Sequence, residues 1–120
     1  MKIFNILMVA TALVGLPSVT LATPDANADR EIRHLLDFVS ASGCTFIRNG
    51  DPHDSRSAAE HLSMKYGRAK SRLATPEQFI DNVATGSYFS GKPYRVKCGG
   101  RDEMATADWL KNELIAARQA

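Results

Sequence analysis

The chain has 120 residues, of which 44% are hydrophobic, and its formal net charge at pH 7 is +2. This length allows a single domain, and the apolar content excludes an intrinsically disordered protein. The nearly balanced charge excludes a nucleic-acid-binding protein, since such proteins carry a clear excess of basic residues. The apolar residues are concentrated at the N-terminus, where they form a segment distinct from the rest of the chain.

Residues 1–22 have the three regions of a secretory signal peptide. A lysine gives a positive start, residues 6–16 form an uncharged apolar run, and small or polar residues lead to Ala22. A membrane-spanning helix needs about 20 apolar residues. The apolar run ends at Pro17, before it reaches that length. We therefore predict a cleaved signal peptide, a periplasmic location and no membrane span after cleavage. Cleavage is expected after Ala22, with Ala28 as the alternative.

Cys44 and Cys98 are the two cysteines of the chain, and both remain after cleavage. In an oxidising compartment such a pair predicts a disulfide. A catalytic thiol and a metal site are less favoured, because the spacing matches no redox motif and no set of metal ligands is evident. Closing the loop between the two cysteines is expected to stabilise the domain by about 4 kcal/mol.

Residues 23–120 predict four helices and two short strands in the order αβααβα. Apolar residues at helical spacing identify the first helix, the capping box Ser57–Glu60 the second, and Thr75 followed by Pro76 the third. Asn49-Gly50 is a turn signal after the first strand. The predicted helices cover residues 27–42, 57–73, 76–85 and 106–118, and the predicted strands cover residues 44–48 and 94–98.

Cys44 begins the first predicted strand and Cys98 ends the second, so a disulfide between them favours an antiparallel pair. Two strands alone are marginally stable, and the helices must cover them. We therefore predict a small α+β domain with a two-stranded antiparallel sheet covered by four helices and one disulfide. In the last helix, Trp109, Leu110, Leu114 and Ile115 are expected to face the core.

Four basic residues recur along one stripe of the second predicted helix: His61, Lys65, Arg68 and Arg72. Such a stripe is consistent with a site for an anion or an acidic partner, which Arg48, Asn49 and His53 upstream are able to join. A solvated helix flank is the favoured alternative.

The loop 86–93 is a second candidate site. Phe89 and Tyr94 are expected to close the core, and the position of Tyr88 is left open.

His53, Asp54, Glu60 and His61 provide too few ligands for a metal site. Ser57 or Ser90 with His61 forms no known nucleophile signature. We therefore predict no metal, no cofactor and no catalytic residue.

Several spaced motifs carry a resemblance to a known family. They are Phe46–Gly50, His61-Leu62 with Lys65, Thr75–Ile80 and Ser90–Val96. Over residues 30–118 the chain resembles the YfeK-like family of small exported bacterial proteins. The resemblance implies a periplasmic domain of unknown function, and it supplies no catalytic residue, cofactor or substrate.

The motif positions form one predicted polar cluster at an end of the sheet. Its members are Arg48, Asn49, His61, Lys65, Ser90 and Tyr94. Antiparallel pairing brings the end of the first strand beside the start of the second, and the second helix starts nearby. The cluster is either a ligand site or a hydrogen-bonded structural clasp, and the clasp is favoured.

The favoured function is a non-enzymatic periplasmic module that binds another protein or an envelope component. Two alternatives remain from the sequence. One is a small anion-binding enzyme or hydrolase centred on His61. The other is an inhibitor or immunity protein against an exported toxin, which would present the loop 86–93. The sequence leaves the oligomeric state open.

Overall fold

The computed structural model describes residue 15 and residues 23–120. Apart from residue 15, the predicted signal peptide, residues 1–22, lies outside the described residues. Within residues 23–120 the chain forms four α-helices, four β-strands and one short 3-10 helix, Lys70–Arg72. The helices are α1 (Ala26–Ala41), α2 (Ser55–Ala69), α3 (Pro76–Asn82) and α4 (Thr106–Gln119). The strands are β1 (Thr45–Arg48), β2 (Asp51–His53), β3 (Arg95–Lys97) and β4 (Met104–Ala105).

The strands form one antiparallel sheet in the order β2-β1-β3-β4. The prediction of an α+β domain is confirmed, but the prediction of two strands in the order αβααβα is wrong, because the order is αββααββα. Both missed strands lie at sheet edges. β2 contains Pro52, and proline weakens a strand signal and is confined to edges because it lacks an N–H donor. β4 has only two residues, too few to show alternation.

The two predicted strands are the central pair, β1 and β3, and they are antiparallel with Phe46 opposite Val96. Cys44 precedes β1 and Cys98 follows β3. Their sulfur atoms form a disulfide, and their Cα atoms are 4.4 Å apart. The predicted disulfide is therefore confirmed, and it joins the start of one central strand to the end of the other.

The turn between β1 and β2 is formed by Asn49 and Gly50, with φ angles of +53° and +82°. Both residues are thus in the left-handed region, which a two-residue hairpin turn requires and which Asn-Gly adopts readily. The predicted turn is confirmed. It holds the Asn49 side chain at the end of the sheet.

Short polar side chains begin three of the helices. Asp25 Oδ1 accepts the Ala28 N–H at 2.7 Å at the start of α1, and Thr75 caps α3 as predicted. The capping box at Ser57 is wrong, because Asp54 accepts the Ser57 N–H and α2 begins two residues earlier. None of the helices in the described part of the chain is both long and apolar enough to cross a membrane.

The hydrophobic core lies where the helices meet the sheet. Phe38, Phe46 and Trp109 form an aromatic cluster within it, with the Phe38 and Trp109 ring centroids 4.5 Å apart. The prediction that Ile115 faces the core is wrong, since 56% of this residue is exposed. The largest fully buried side chains include Ile32, Leu35, Leu73, Phe79, Ile80, Val96 and Leu110.

Candidate functional site

Lys65 is the buried centre of the candidate site. It lies in α2 and is only 6% exposed. Its ammonium donates to the backbone oxygens of Val83 at 2.7 Å and Gly86 at 3.0 Å, and to Tyr94 Oη at 2.9 Å. Three N–H donors thus meet three acceptors, the condition under which a charged group is buried. The prediction of a solvated helix flank is wrong at Lys65, because the segment after α3 folds over the helix and supplies the hydrogen-bond acceptors.

Tyr94 connects Lys65 to His61. Its hydroxyl oxygen lies 2.9 Å from Lys65 Nζ and 3.3 Å from His61 Nε2. A lysine ammonium only donates, so the hydroxyl accepts from Lys65. The same hydroxyl is hydrogen-bonded to His61 Nε2. The direction of the bond between Tyr94 and His61 depends on which ring nitrogen of the imidazole carries the proton. Tyr94 is buried, so the prediction that it closes the core is confirmed.

The electrostatics of the trio His61, Lys65 and Tyr94 favour a neutral histidine. Burial lowers the pKa of His61 to about 4, with further lowering by the positive charges of Arg48 and Lys65. Burial, followed by the charge of Arg48, lowers the pKa of Lys65 to about 8. Burial also raises the pKa of the Tyr94 phenol. At neutral pH the trio therefore consists of an imidazole, an ammonium and a phenol.

Asn49 and Ser90 form a second contact at the same end of the sheet. Asn49 Oδ1 accepts a hydrogen bond from the Ser90 hydroxyl, and Ser90 Oγ accepts the Lys92 N–H at 3.2 Å. This pair fastens the loop 86–93 to the turn after β1. The residues of the predicted cluster thus form a bonded trio and a bonded pair, and the charge of Arg48 acts on the trio.

An open groove of about 400 Å³ lies between α2 and the segment after α3. We call it the basic groove, because five basic side chains line it and no carboxylate does, within the described residues. The cluster members other than Ser90 all line this groove. Its lining comprises Arg48, Asn49, His61, Met64, Lys65, Arg68, Ala69, Arg72, Ser87, Tyr88, Phe89 and Tyr94.

The three arginines of the groove, Arg48, Arg68 and Arg72, form no ion pair with any residue that the structure describes. Elsewhere an arginine is neutralised, since Arg118 contacts the carboxylates of both Glu31 and Glu77. Cations gathered in a concave surface without counter-charges raise the local positive potential and attract anions. The groove is therefore suited to a negatively charged group.

Two aromatic side chains of the loop 86–93 stand at the rim of the groove. Tyr88 is 65% exposed and Phe89 is fully exposed, so the prediction that Phe89 closes the core is wrong. The loop is closed by its own backbone, through the bridge between Gly86 and Pro93. The Tyr88 ring is tied to the site, because its centroid lies 4.3 Å from Lys65 Nζ.

A smaller cavity of about 30 Å³ adjoins the groove and shares Arg48, His61 and Tyr94 with it. Its other walls are mainly apolar. Thr106 also lines this cavity, and its buried hydroxyl has no hydrogen-bond partner within residues 23–120. The groove and the smaller cavity therefore meet at Arg48, His61 and Tyr94.

Residues 26–118 match the model of DUF5329, a family of unknown function. The chain belongs to this family. It is also 39% identical over 89 residues to the Uncharacterized protein YfeK of Salmonella typhimurium strain LT2, which covers 72% of this chain and 74% of the relative. No solved structure matches the chain. The family resemblance predicted from the spaced motifs is thus confirmed.

Membership of this family brings no assigned reaction. Across the described residues, no three His, Cys, Asp or Glu side chains come together in a way that would hold a metal ion. The absence of a metal or cofactor stays a prediction. Ser57 lines the smaller cavity together with His61, whereas the Ser90 hydroxyl is taken by Asn49.

Sequence reasoning missed three parts of the site. The carbonyls of Val83 and Gly86 have no side-chain signature, so nothing in the sequence marks them as acceptors. Met64 lines the groove and is 48% exposed. An apolar residue on the polar side of α2 was the sequence signal that could have identified it. Thr106 resembles an ordinary helix start, yet its hydroxyl lies in the smaller cavity.

Proposed function

We propose that the protein is a non-enzymatic periplasmic binding module that holds an anionic group of its ligand in the basic groove. The observation that carries the proposal is the set of three arginines, Arg48, Arg68 and Arg72, that line this groove without a carboxylate partner. Arginine recognises carboxylate and phosphate oxygens through paired N–H donors. The ligand is then an acidic part of another periplasmic protein or of an envelope component.

The disulfide between Cys44 and Cys98 supports an exported protein, because such bonds persist in oxidising compartments. The capping of α1 favours one of the two cleavage positions. Cleavage after Ala22 keeps Asp25, the residue that caps this helix. Cleavage after Ala28 would remove both the cap and the first turn.

The hydrogen bonds of the trio favour binding over catalysis. His61 Nε2 is already hydrogen-bonded to Tyr94 Oη, and all three donors of Lys65 are used. A general base needs a nitrogen that is free to take a proton from its substrate. The trio therefore acts best as a rigid floor for the groove. A hydrolase centred on His61 and an inhibitor or immunity protein remain alternative predictions.

Titration with inorganic phosphate tests the proposal. Backbone amide signals of the groove residues should shift in nuclear magnetic resonance spectra, and the shifts should weaken at high salt. Arg68→Gln and Arg72→Gln should each lower the affinity about fivefold, the effect of losing one exposed charge contact. Arg101→Gln is the matched control, since this exposed arginine lies outside the groove. Shifts outside the groove alone, or affinities unchanged by both groove variants, would contradict the proposal.

A further inference from the structure

We propose that the anionic group is the phosphate of a phospholipid headgroup in a membrane surface, and that Phe89 inserts among the acyl chains beside it. This inference rests on the proposed function, because the same arginines hold the phosphate. It adds a second element, the exposed apolar side chains at the rim of the groove. The protein would then lie on an anionic membrane through one face.

The exposed apolar residues are concentrated on that face. Four large hydrophobic residues are exposed within the described part of the chain, and Met64, Tyr88 and Phe89 of these four line the basic groove. The fourth, Ile115, lies in α4 outside the groove. Exposed apolar side chains grouped in one place mark an interaction surface, whereas single ones are common.

The combination of side chains matches what an anionic bilayer presents. Arg68, Arg72 and Lys92 are exposed cations, and the two arginines line the same groove as Phe89. Cations are drawn to anionic headgroups, and aromatic rings settle at the boundary between headgroups and acyl chains. Asp51 lies opposite Arg48 in the backbone register of the hairpin, but its side chain does not line the groove. The face therefore has charge complementary to an anionic surface.

The position of Phe89 favours a bilayer over a soluble acidic ligand. The ring is fully exposed at the rim, and a ligand held inside the groove contacts only the side of the ring that lines it. A bilayer supplies the phosphate for the arginines and an apolar phase for the ring at the same time. Peripheral attachment that is stable generally needs two such signals together.

Vesicle binding tests the inference on the exported protein, with its N-terminus identified by mass spectrometry. One set of vesicles contains phosphatidylcholine alone, and the other contains phosphatidylcholine with phosphatidylglycerol. The protein should sediment with the anionic vesicles only, and salt should release it. Arg68→Gln should lower the partition coefficient about fivefold, and Phe89→Ala should lower it on the order of tenfold. In Phe89→Trp, the added indole fluorescence should shift to shorter wavelength with anionic vesicles.

Arg101→Gln and Ile115→Ala are the matched controls, and they should bind like the parent protein. The parent protein and the five variants share the same N-terminal segment, so differences between them report on the groove face. Failure to bind anionic vesicles, or binding unaffected by Arg68→Gln and Phe89→Ala, overturns the inference. If the protein binds inorganic phosphate in the groove but not the vesicles, the proposed function stands and the membrane surface is refuted. If it binds neither, both proposals fail.

Discussion

Replacing Lys65 by methionine tests whether the buried ammonium holds α2 to the segment after α3. Methionine keeps the apolar stem and removes the three N–H donors. The oxygens of Val83, Gly86 and Tyr94 then lose a hydrogen bond that spans 2.7 to 3.0 Å in the parent protein. Each buried acceptor left without a donor costs about 1–3 kcal/mol.

The expected net loss follows from the burial of these acceptors. The Val83 carbonyl and the Tyr94 hydroxyl are bonded to Lys65 in buried positions, whereas the Gly86 carbonyl is only partly buried. Removing the charge also removes the cost of desolvating it, which offsets part of the loss. We expect Lys65→Met to lower the free energy of unfolding by about 3 kcal/mol. For a domain of this size the melting temperature should fall by more than about 10 °C.

Urea unfolding followed by circular dichroism at pH 7, with the disulfide intact, measures the change. Lys92→Met is the control, because this lysine is exposed and its loss should alter stability by less than about 0.5 kcal/mol. Tyr94→Phe removes one acceptor and should cost about 1 kcal/mol. The double variant should cost less than the sum of the two, since both changes remove the same hydrogen bond. A loss below about 1 kcal/mol for Lys65→Met would contradict this prediction, because desolvation of the ammonium would then cancel the three hydrogen bonds.

Three further predictions concern the fold around the site. Replacing Cys44 and Cys98 by alanine should lower the free energy of unfolding by about 4 kcal/mol in urea, because the unfolded chain regains the entropy of a long open loop. Gly86→Ala should destabilise the domain, since its Cβ would lie 2.7 Å from a backbone oxygen across the bridge, whereas Gly67→Ala in α2 should stabilise it by up to about 1 kcal/mol. His61 favours its neutral form in the folded state, with a pKa of about 4, so stability should fall by about 2 kcal/mol as the pH drops from about 6.5 to about 4.

Each of these three predictions would be contradicted by a specific measurement. Equal unfolding midpoints for the oxidised protein and the double cysteine variant would show that the disulfide does not stabilise the fold. A Gly86→Ala protein as stable as Gly67→Ala would mean that the bridge relaxes freely. The pH effect is assigned by His61→Gln, in which the loss of stability between pH 6.5 and pH 4 should shrink. An unchanged pH profile in that variant would assign the effect to other groups.

Features of the fold that depend on neighbouring residues were predictable. Thr75 caps the helix that Pro76 begins, and Asn49-Gly50 forms the hairpin turn, because in each case a side chain or a φ preference acts on adjacent backbone. The central strand pair also followed from the sequence, since the disulfide constrained its direction. The edge strands did not, because Pro52 weakens the strand signal of β2 and the two residues of β4 are too few to show alternation.

The candidate site divides along the same line. Its residues were visible in the sequence as the basic stripe of α2 and the spaced motifs. The stripe predicted that all of its residues are solvent-exposed, but in the structure they differ in burial. Lys65 is buried while Arg68 is exposed, although both lie on the same helix. The difference arises because the segment after α3 covers one part of the stripe and leaves the other open.

The order of residues was enough to predict one small α+β domain with a disulfide across its central strands. It was also enough to predict which polar residues lie at one end of the sheet. The burial of Lys65 and the full exposure of Phe89 emerged only from the folded chain. The physical reason is that the acceptors of Lys65 are mostly backbone carbonyls, 18 and 21 residues away in the chain, and a carbonyl gives no signal in the sequence. Likewise, a missing counter-charge around three arginines becomes visible only once the chain is folded.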